Sequence, residues 1–291
     1  MTGHILTPHE FSELEKCMKD PIYFAENYIK IIHLDKGIIN FNLFKKQKDM
    51  MKLVTKNRFS IIMASRQYGK TTTIAAIFLW YAIFNENYEI GILADQVDHA
   101  QDILKDICIM IDYLPDFLRP VDSDNKLLED NKKSIILNNG SHIFGAATTA
   151  KSIRGKSLNL LYLDEFALVD NNLAHDFLDN AFPTITSGKT TKVVITSTPK
   201  GLNHFWTQWQ RAINKKSEFK PLRIDWYDRP DRDEKWKQQQ IKNMGEIAFN
   251  QEFGLCTIKT TMIKLRDKIT NEIFEISIED LLKTEKNQTL D

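Results

Sequence analysis

Residues 64–72 read ASRQYGKTT, with Gly69, Lys70 and Thr71 in direct succession. A glycine, a lysine and a hydroxyl in that order can hold phosphate. Backbone N–H groups of such a loop point at phosphate oxygens, and the helix that follows adds partial positive charge at its N-terminus. Ser65, Arg66, Gln67, Tyr68, Gly69, Lys70, Thr71 and Thr72 are therefore the candidate nucleotide-binding residues. Lys70 can reach the β- and γ-phosphates of a nucleotide, and the Thr71 hydroxyl can ligate Mg²⁺. Ala64 stands where this pattern ordinarily begins with glycine, so the loop is a variant.

A second acidic element follows. LLYLDEFA puts Asp164 and Glu165 at the end of an apolar run. Asp164 can hold the metal through a water, and Glu165 can orient and deprotonate an attacking water. An acidic loop after a strand is common; the phosphate loop upstream gives this one its meaning. In ITSTPKG, Thr196, Ser197 and Thr198 are short hydroxyl side chains that can sense a γ-phosphate and pass its presence to a moving segment. The plain alternative is a strand-ending turn. Two arginines could stabilise charge on a transferring phosphoryl group: Arg66 in cis, and Arg154, in AKSIRGKS, on its own nucleotide or a neighbour's. Arg154 could equally contact a DNA backbone or lie on the surface. The Gln47 amide fits an adenine edge, or else a solvated helix face.

These residues need a scaffold that brings strand ends together. RFSIIMA, YEIGILA, LNLLYLDE and TKVVITSTP are short apolar runs, each reading as a buried strand. Between them lie helical patterns over 8–31, 43–56, 71–84 and 95–113, and a polar stretch at 227–240 that starts a surface helix. SIILNNGSHIFGAAT folds back about Asn-Gly. The expectation is an α/β fold, a P-loop NTPase with a mainly parallel sheet flanked by helices, plus a short C-terminal β-hairpin segment. The 291 residues balance 39 basic against 39 acidic side chains, so any nucleic-acid surface must be a local patch. Cys17, Cys108 and Cys256 are widely spaced and form no C-x-x-C pair, which speaks against a disulfide framework or a zinc site. The longest apolar run, IAAIFLWYAIF, is too short for a membrane span.

The four motifs ASRQYGKTT, RGKSLNLLYLDEFA, ITSTPKGLNHFW and FNQEF, in this order, resemble the large terminase subunit of tailed phages of the myovirus type, over about residues 20–255. The resemblance implies an ATPase, with ATP and Mg²⁺ as cofactors, that packages double-stranded DNA into procapsids. It implies a homo-oligomeric ring on the portal protein, a small terminase subunit as partner, and no membrane. The setting would be the host cytoplasm, transiently docked on the procapsid and absent from the mature virion. Arg66 and Lys70 would act on the phosphates, Asp164 would hold Mg²⁺, Glu165 would activate water, and Thr196–Thr198 would couple hydrolysis to movement. The expected division is an N-terminal helical region (1–57), the ATPase part (58–255) and a tail (256–291). The family's nuclease domain has no room in that tail, so DNA cleavage is not expected of this chain alone. Two other readings stay open: a helicase-like remodelling ATPase, though a second α/β domain with its arginine motif has no room here, and an ATP-binding scaffold without turnover.

The tail raises its own expectation. Ile263 and Leu265 alternate with Lys264 and Arg266, and Phe274, Ile276 and Ile278 with Glu275 and Ser277, about a turn at Thr270–Asn271. A hairpin preceded by Cys256 resembles the N-terminal piece of a split intein. Cys256 would then be a splicing nucleophile, its thiol attacking the Leu255 carbonyl and shifting the acyl group from nitrogen to sulfur. A second chain would carry the C-terminal intein fragment and the nuclease domain. The plain alternatives are an ordinary tail or an interrupted gene.

Overall fold

A computed structural model describes residues 6–122, 124, 126–183, 188–255, 262–267 and 271–277. Cys256, and with it the expected splicing junction, lies outside them.

The chain begins with helices α1 (Pro8–Lys19) and α2 (Pro21–Tyr28), then a hairpin of β1 (Lys30–His33) and β2 (Gly37–Asn40), then α3 (Lys45–Lys56). The sequence pattern suggested one helix over 8–31. The break falls at Pro21, which has no N–H to donate and disfavours helical backbone in the residue before it. Asp20 is accordingly extended, at φ −136° and ψ 105°, and its side chain accepts from Ile22 N at 2.8 Å, capping the second helix. The hairpin was not expected in this region. KIIH and GIIN are too short for periodicity to separate them from the end of a helix.

The body of the protein is an eight-stranded sheet. Its strands are β3 (Phe59–Ala64), β4 (Glu89–Ala94), β5 (Glu129–Asp130), β6 (Ser134–Ile136), β7 (His142–Ala147), β8 (Leu160–Leu163), β9 (Lys192–Ser197) and β10 (Lys220–Ile224), in the order β10-β3-β9-β8-β4-β7-β6-β5. The six strands from β10 to β7 run parallel. β5 and β6 extend the edge antiparallel, with Gly140 at φ 80° in the Asn-Gly turn that joins β6 to β7. β10 was not foreseen. It is an edge strand carrying Pro221, a residue tolerated only where no ladder bond is needed on that side.

Both faces of the sheet are covered, as continuous apolar strands require. Ile62, Ile90, Ile92, Leu160, Tyr162 and Val194 face one core with α4 (Lys70–Phe84), α5 (Val97–Asp112) and the N-terminal helices. Ile61, Met63, Leu93, Leu161, Leu163 and Ile195 face a second core, closed by Phe166, Phe177 and α8 (His204–Ile213). The short helices α6 (Ala150–Ile153) and α7 (Asn171–Asp176) fill connections, and α9 (Glu234–Met244) and α10 (Glu246–Glu252) close the ATPase region. The expected C-terminal hairpin is present: β11 (Met262–Arg266) pairs antiparallel with β12 (Ile273–Ser277), Leu265 opposite Phe274. Arg266 pairs with Ile273, and Thr270 of the expected turn lies outside the described residues.

Candidate nucleotide-hydrolysis site

In a parallel sheet all carboxyl ends lie along one edge, and ligands bind there. Ala64 ends β3, Ser197 ends β9 and Leu163 ends β8, in three adjacent strands. The topology thus gathers the three motifs from chain segments far apart.

The phosphate loop closes on Gly69, which has φ 80° and begins α4. An L-residue pays a steric cost in that left-handed region, and a Cβ there would also stand 2.8 Å from Gln47 Nε2. Gln47 itself is buried, 3% exposed, which removes the solvated-face reading. Its Oε1 accepts from Phe44 N at 2.8 Å, and its Nε2 donates to the Tyr68 and Gly69 carbonyls at 3.4 and 3.5 Å. Its amide is occupied in tying α3 to the loop. Ser65 is buried and its N–H donates to Ile224 O of β10 at 2.9 Å. Tyr68 is buried, with its hydroxyl donating to Asp228 O at 3.1 Å; burial pushes this phenol up to about 12. Thr72 is half-buried on the first turn of α4.

Lys70 and Glu165 form an ion pair through Lys70 Nζ and Glu165 Oε1. Thr71 Oγ1 donates to Asp164 Oδ2 at 3.4 Å. On the other side Glu165 Oε2 accepts from Ser197 Oγ and Thr198 N, both at 3.3 Å, and from Thr198 Oγ1 at 3.5 Å. Thr196 Oγ1 donates to Asp164 Oδ1 at 2.9 Å. The structure therefore brings Lys70, Thr71, Asp164, Glu165, Thr196, Ser197 and Thr198 into one network. Glu165 sits at φ 46° and ψ 41°, a conformation that is strained for a residue other than glycine and recurs at functional sites. Asp164 is 5% exposed, and burial raises its pKa against the opposing pull of Lys70.

The two arginines lie elsewhere. Arg66 is paired through Nε with Glu252 Oε2 at the end of α10, and its N–H donates to Glu252 O at 3.3 Å. This arrangement ties it to α10, and it makes no bond to the network around Lys70 and Glu165. Arg154 is exposed after α6, on the chain leaving β7. The chain runs on from there to β8, two strands from β3 in the sheet.

Residues outside the motifs also build the loop. Arg229 NH1 and Arg232 NH2 both donate to the Gln67 carbonyl, the latter at 3.3 Å, and Arg232 NH1 donates to Arg66 O at 3.1 Å. Arg232 is 7% exposed, its guanidinium 4.5 Å from the Trp236 ring centroid and 5.2 Å from Phe253. Burial lowers its pKa to about 10, which still leaves it a cation. The stretch YDRPDRDEKW gave no signal of this role, because its polarity reads as a surface. On the other side, Asn203 Nδ2 donates to Ala167 O at 2.8 Å, and buried His204 contacts Phe166 O through Nε2 at 2.6 Å. These contacts fasten the start of α8 to the turn that follows Glu165.

The donor set suits a small hard cation. Thr71 and Asp164 offer oxygen only, and Mg²⁺ characteristically takes one or two protein oxygens and completes its shell with water and phosphate. Among the described residues no cluster of three or more His, Cys, Asp or Glu forms a closed metal cage. Also among the described residues, no helix is long and apolar enough to cross a membrane.

A parallel sheet with a lysine-bearing phosphate loop on one strand end, and paired carboxylates on another, defines the P-loop NTPase class. Within it, residues 61–261 match the sequence model of the family "Terminase large subunit, T4likevirus-type, N-terminal". The chain belongs to that family of terminase ATPase domains. The fold is also that of solved phage proteins. The large terminase of bacteriophage HK97 superposes with a TM-score of 0.65 at 18% identity, over 84% of this chain and 56% of that one. The ATPase domain of the large terminase of Thermus phage P74-26 gives 0.55 at 17% identity, over 69% of this chain and 89% of that one. A large terminase of a thermophilic bacteriophage, solved in complex with ADP, gives 0.57 at 12% identity, over 85% of this chain and 73% of that one. The chain thus spans little more than half the length of the HK97 protein.

Proposed function

We infer that this chain binds ATP with Mg²⁺ at the loop 65–72 and hydrolyses it, as the motor part of a viral machine that packages double-stranded DNA. The observation that carries the reading is the single network joining Lys70, Thr71, Asp164, Glu165 and Thr196–Thr198 across three adjacent strand ends. Lys70 supplies the point charge for the phosphates. Thr71 and Asp164 would hold Mg²⁺, which when bound neutralises charge on the phosphate oxygens. Glu165 is the general base: with Lys70 drawn to phosphate, Oε1 is released to accept a proton from water. Ser197 has one proton for two acceptors, Glu165 Oε2 at 3.3 Å and Thr198 O at 2.9 Å, so a change at Glu165 alters the bonding of this turn. Through Asn203 and His204 that change reaches α8, the route proposed for coupling hydrolysis to movement.

The family supplies the rest of the proposal: a homo-oligomeric ring docked on a portal protein at the procapsid in the host cytoplasm, a small terminase subunit as partner, and double-stranded DNA as substrate. Arg154, exposed on the connection from β7 to β8, would act on a neighbouring subunit's nucleotide. Arg66, held by Glu252, would have to leave that partner to act in cis. The direct test of the site is nucleotide binding by Lys70→Ala. A loss of tenfold or more, on the order expected for a charge-assisted contact, supports the assignment, and wild-type affinity would overturn it.

Trans-splicing at Cys256 draws support from the β11–β12 hairpin alone. The family match runs to residue 261, past Cys256, which favours a tail continuous with the terminase part. Mixing the chain with a candidate partner decides between them. A ligated product that disappears in Cys256→Ala supports splicing, and no ligated product leaves an ordinary tail.

A further inference from the structure

Tyr162 is a phenol in the middle of a strand whose other members, Leu160, Leu161 and Leu163, are aliphatic. It is fully buried, and its ring packs edge-on against Phe78 of α4 with centroids 5.4 Å apart. A phenylalanine would fill that space equally well. The hydroxyl is what requires explanation, because burying it without partners is unfavourable. Its partners belong to the hydrolysis site. It donates to Asp164 Oδ1 at 2.6 Å and lies 2.8 Å from Thr196 Oγ1, which itself reaches the same Oδ1 at 2.9 Å. Three oxygens form a closed triangle. The two hydroxyls hold only two protons for its three sides, so one side is unmade at any instant. The Tyr162–Asp164 side is the shortest, as a charge-assisted bond should be.

We propose that Tyr162 is a positioning residue for the metal-binding carboxylate: its hydroxyl holds Asp164 Oδ1 inward, toward β9, and so leaves Oδ2 turned toward Thr71 for Mg²⁺. Asp164 Oδ2 is the oxygen 3.4 Å from Thr71 Oγ1, and the structure gives it no other partner among the described residues. Without the phenol, Asp164 keeps a single inward bond, from Thr196, and its carboxylate is free to turn. This inference rests on Asp164 being the Mg²⁺-binding carboxylate, and the experiment separates the two claims.

The measurement is ADP affinity of the whole chain over a Mg²⁺ series, so that no turnover is involved. In the wild type, Mg²⁺ should tighten ADP binding, and Asp164→Asn should lose most of that dependence; if it keeps it, the reading of Asp164 fails and the proposal falls with it. Given that dependence, Tyr162→Phe should keep its ADP affinity in EDTA within about twofold and need roughly fivefold more Mg²⁺ at the midpoint. An unchanged Mg²⁺ midpoint, or an equal loss of affinity with and without Mg²⁺, overturns the proposal; the second result marks Tyr162 as a support of the loop only. Thr196→Val removes the other hydroxyl and leaves the phenol. It should move the midpoint less than Tyr162→Phe does, and a larger shift than that of Tyr162→Phe would assign the positioning to Thr196 instead.

Discussion

Gly69 shows how tightly single residues are constrained at this site. Its φ of 80° and the 2.8 Å gap from its missing Cβ to Gln47 Nε2 leave no room for a side chain. Gly69→Ala should cost about 1–2 kcal/mol in backbone strain and push Gln47 off the loop. The expected readout is a lower melting temperature with weakened ATP binding; wild-type values for both would show the loop to be more pliant than its geometry. Much of the residue-level site was legible in the sequence, because Lys70, Thr71, Asp164 and Glu165 lie in short motifs with fixed spacing. Arg229, Arg232 and Tyr162 were not. Their roles depend on which carbonyl or carboxylate the fold places against them, and linear spacing does not carry that information. Arg66 illustrates the converse. Its place in the loop suggested contact with phosphate, and Glu252, far along the chain, determines where it points.

At the scale of elements, the N-terminal helices are joined by one carboxylate. Glu13 of α1 accepts from Lys16 Nζ at 2.7 Å and from Tyr23 and Tyr28 of α2 at 2.7 and 2.6 Å. The Lys16 bond, with those from Tyr28 and Tyr23, lowers its pKa to about 2. A carboxyl group with a depressed folded-state pKa stabilises the fold above its unfolded value, and that contribution is lost as pH falls toward the folded value. Wild type should therefore lose stability between pH 4.5 and about 2. Glu13→Gln should be less stable at neutral pH and lose less over that window, as denaturant midpoints at several pH values would show. A parallel acid response in both proteins would remove Glu13 from this role. Strands and long helices were readable from apolar runs, and the Asn-Gly hairpin from its turn chemistry. β1, β2 and β10 were not, since four- and five-residue strands with mixed polarity owe their conformation to the partner they pair with.

For the whole molecule, the prediction concerns assembly. Arg154 is exposed on the connection from β7 to β8, and its proposed role is to serve a neighbour. Arg154→Ala should hydrolyse ATP poorly in the assembled ring. Mixing it with Lys70→Ala should restore part of the rate, because an intact arginine then meets an intact loop across an interface. No recovery in rings that assemble normally would return Arg154 to a role in cis or on DNA. The arrangement of strands was legible only in outline. Alternation of strand and helix implies a parallel sheet, but the order that places β9 between β3 and β8, and so puts Thr196–Thr198 against both carboxylates, appears only in the folded chain.

The central claim is that Glu165 activates water at a nucleotide held by Lys70. Its most direct test measures ATP binding and ATP hydrolysis in the same samples of wild type and Glu165→Gln, assembled as a motor. Glu165→Gln should bind ATP with Mg²⁺ at close to wild-type affinity and hydrolyse it on the order of a hundredfold more slowly, or worse. Turnover by Glu165→Gln near the wild-type rate would contradict the assignment.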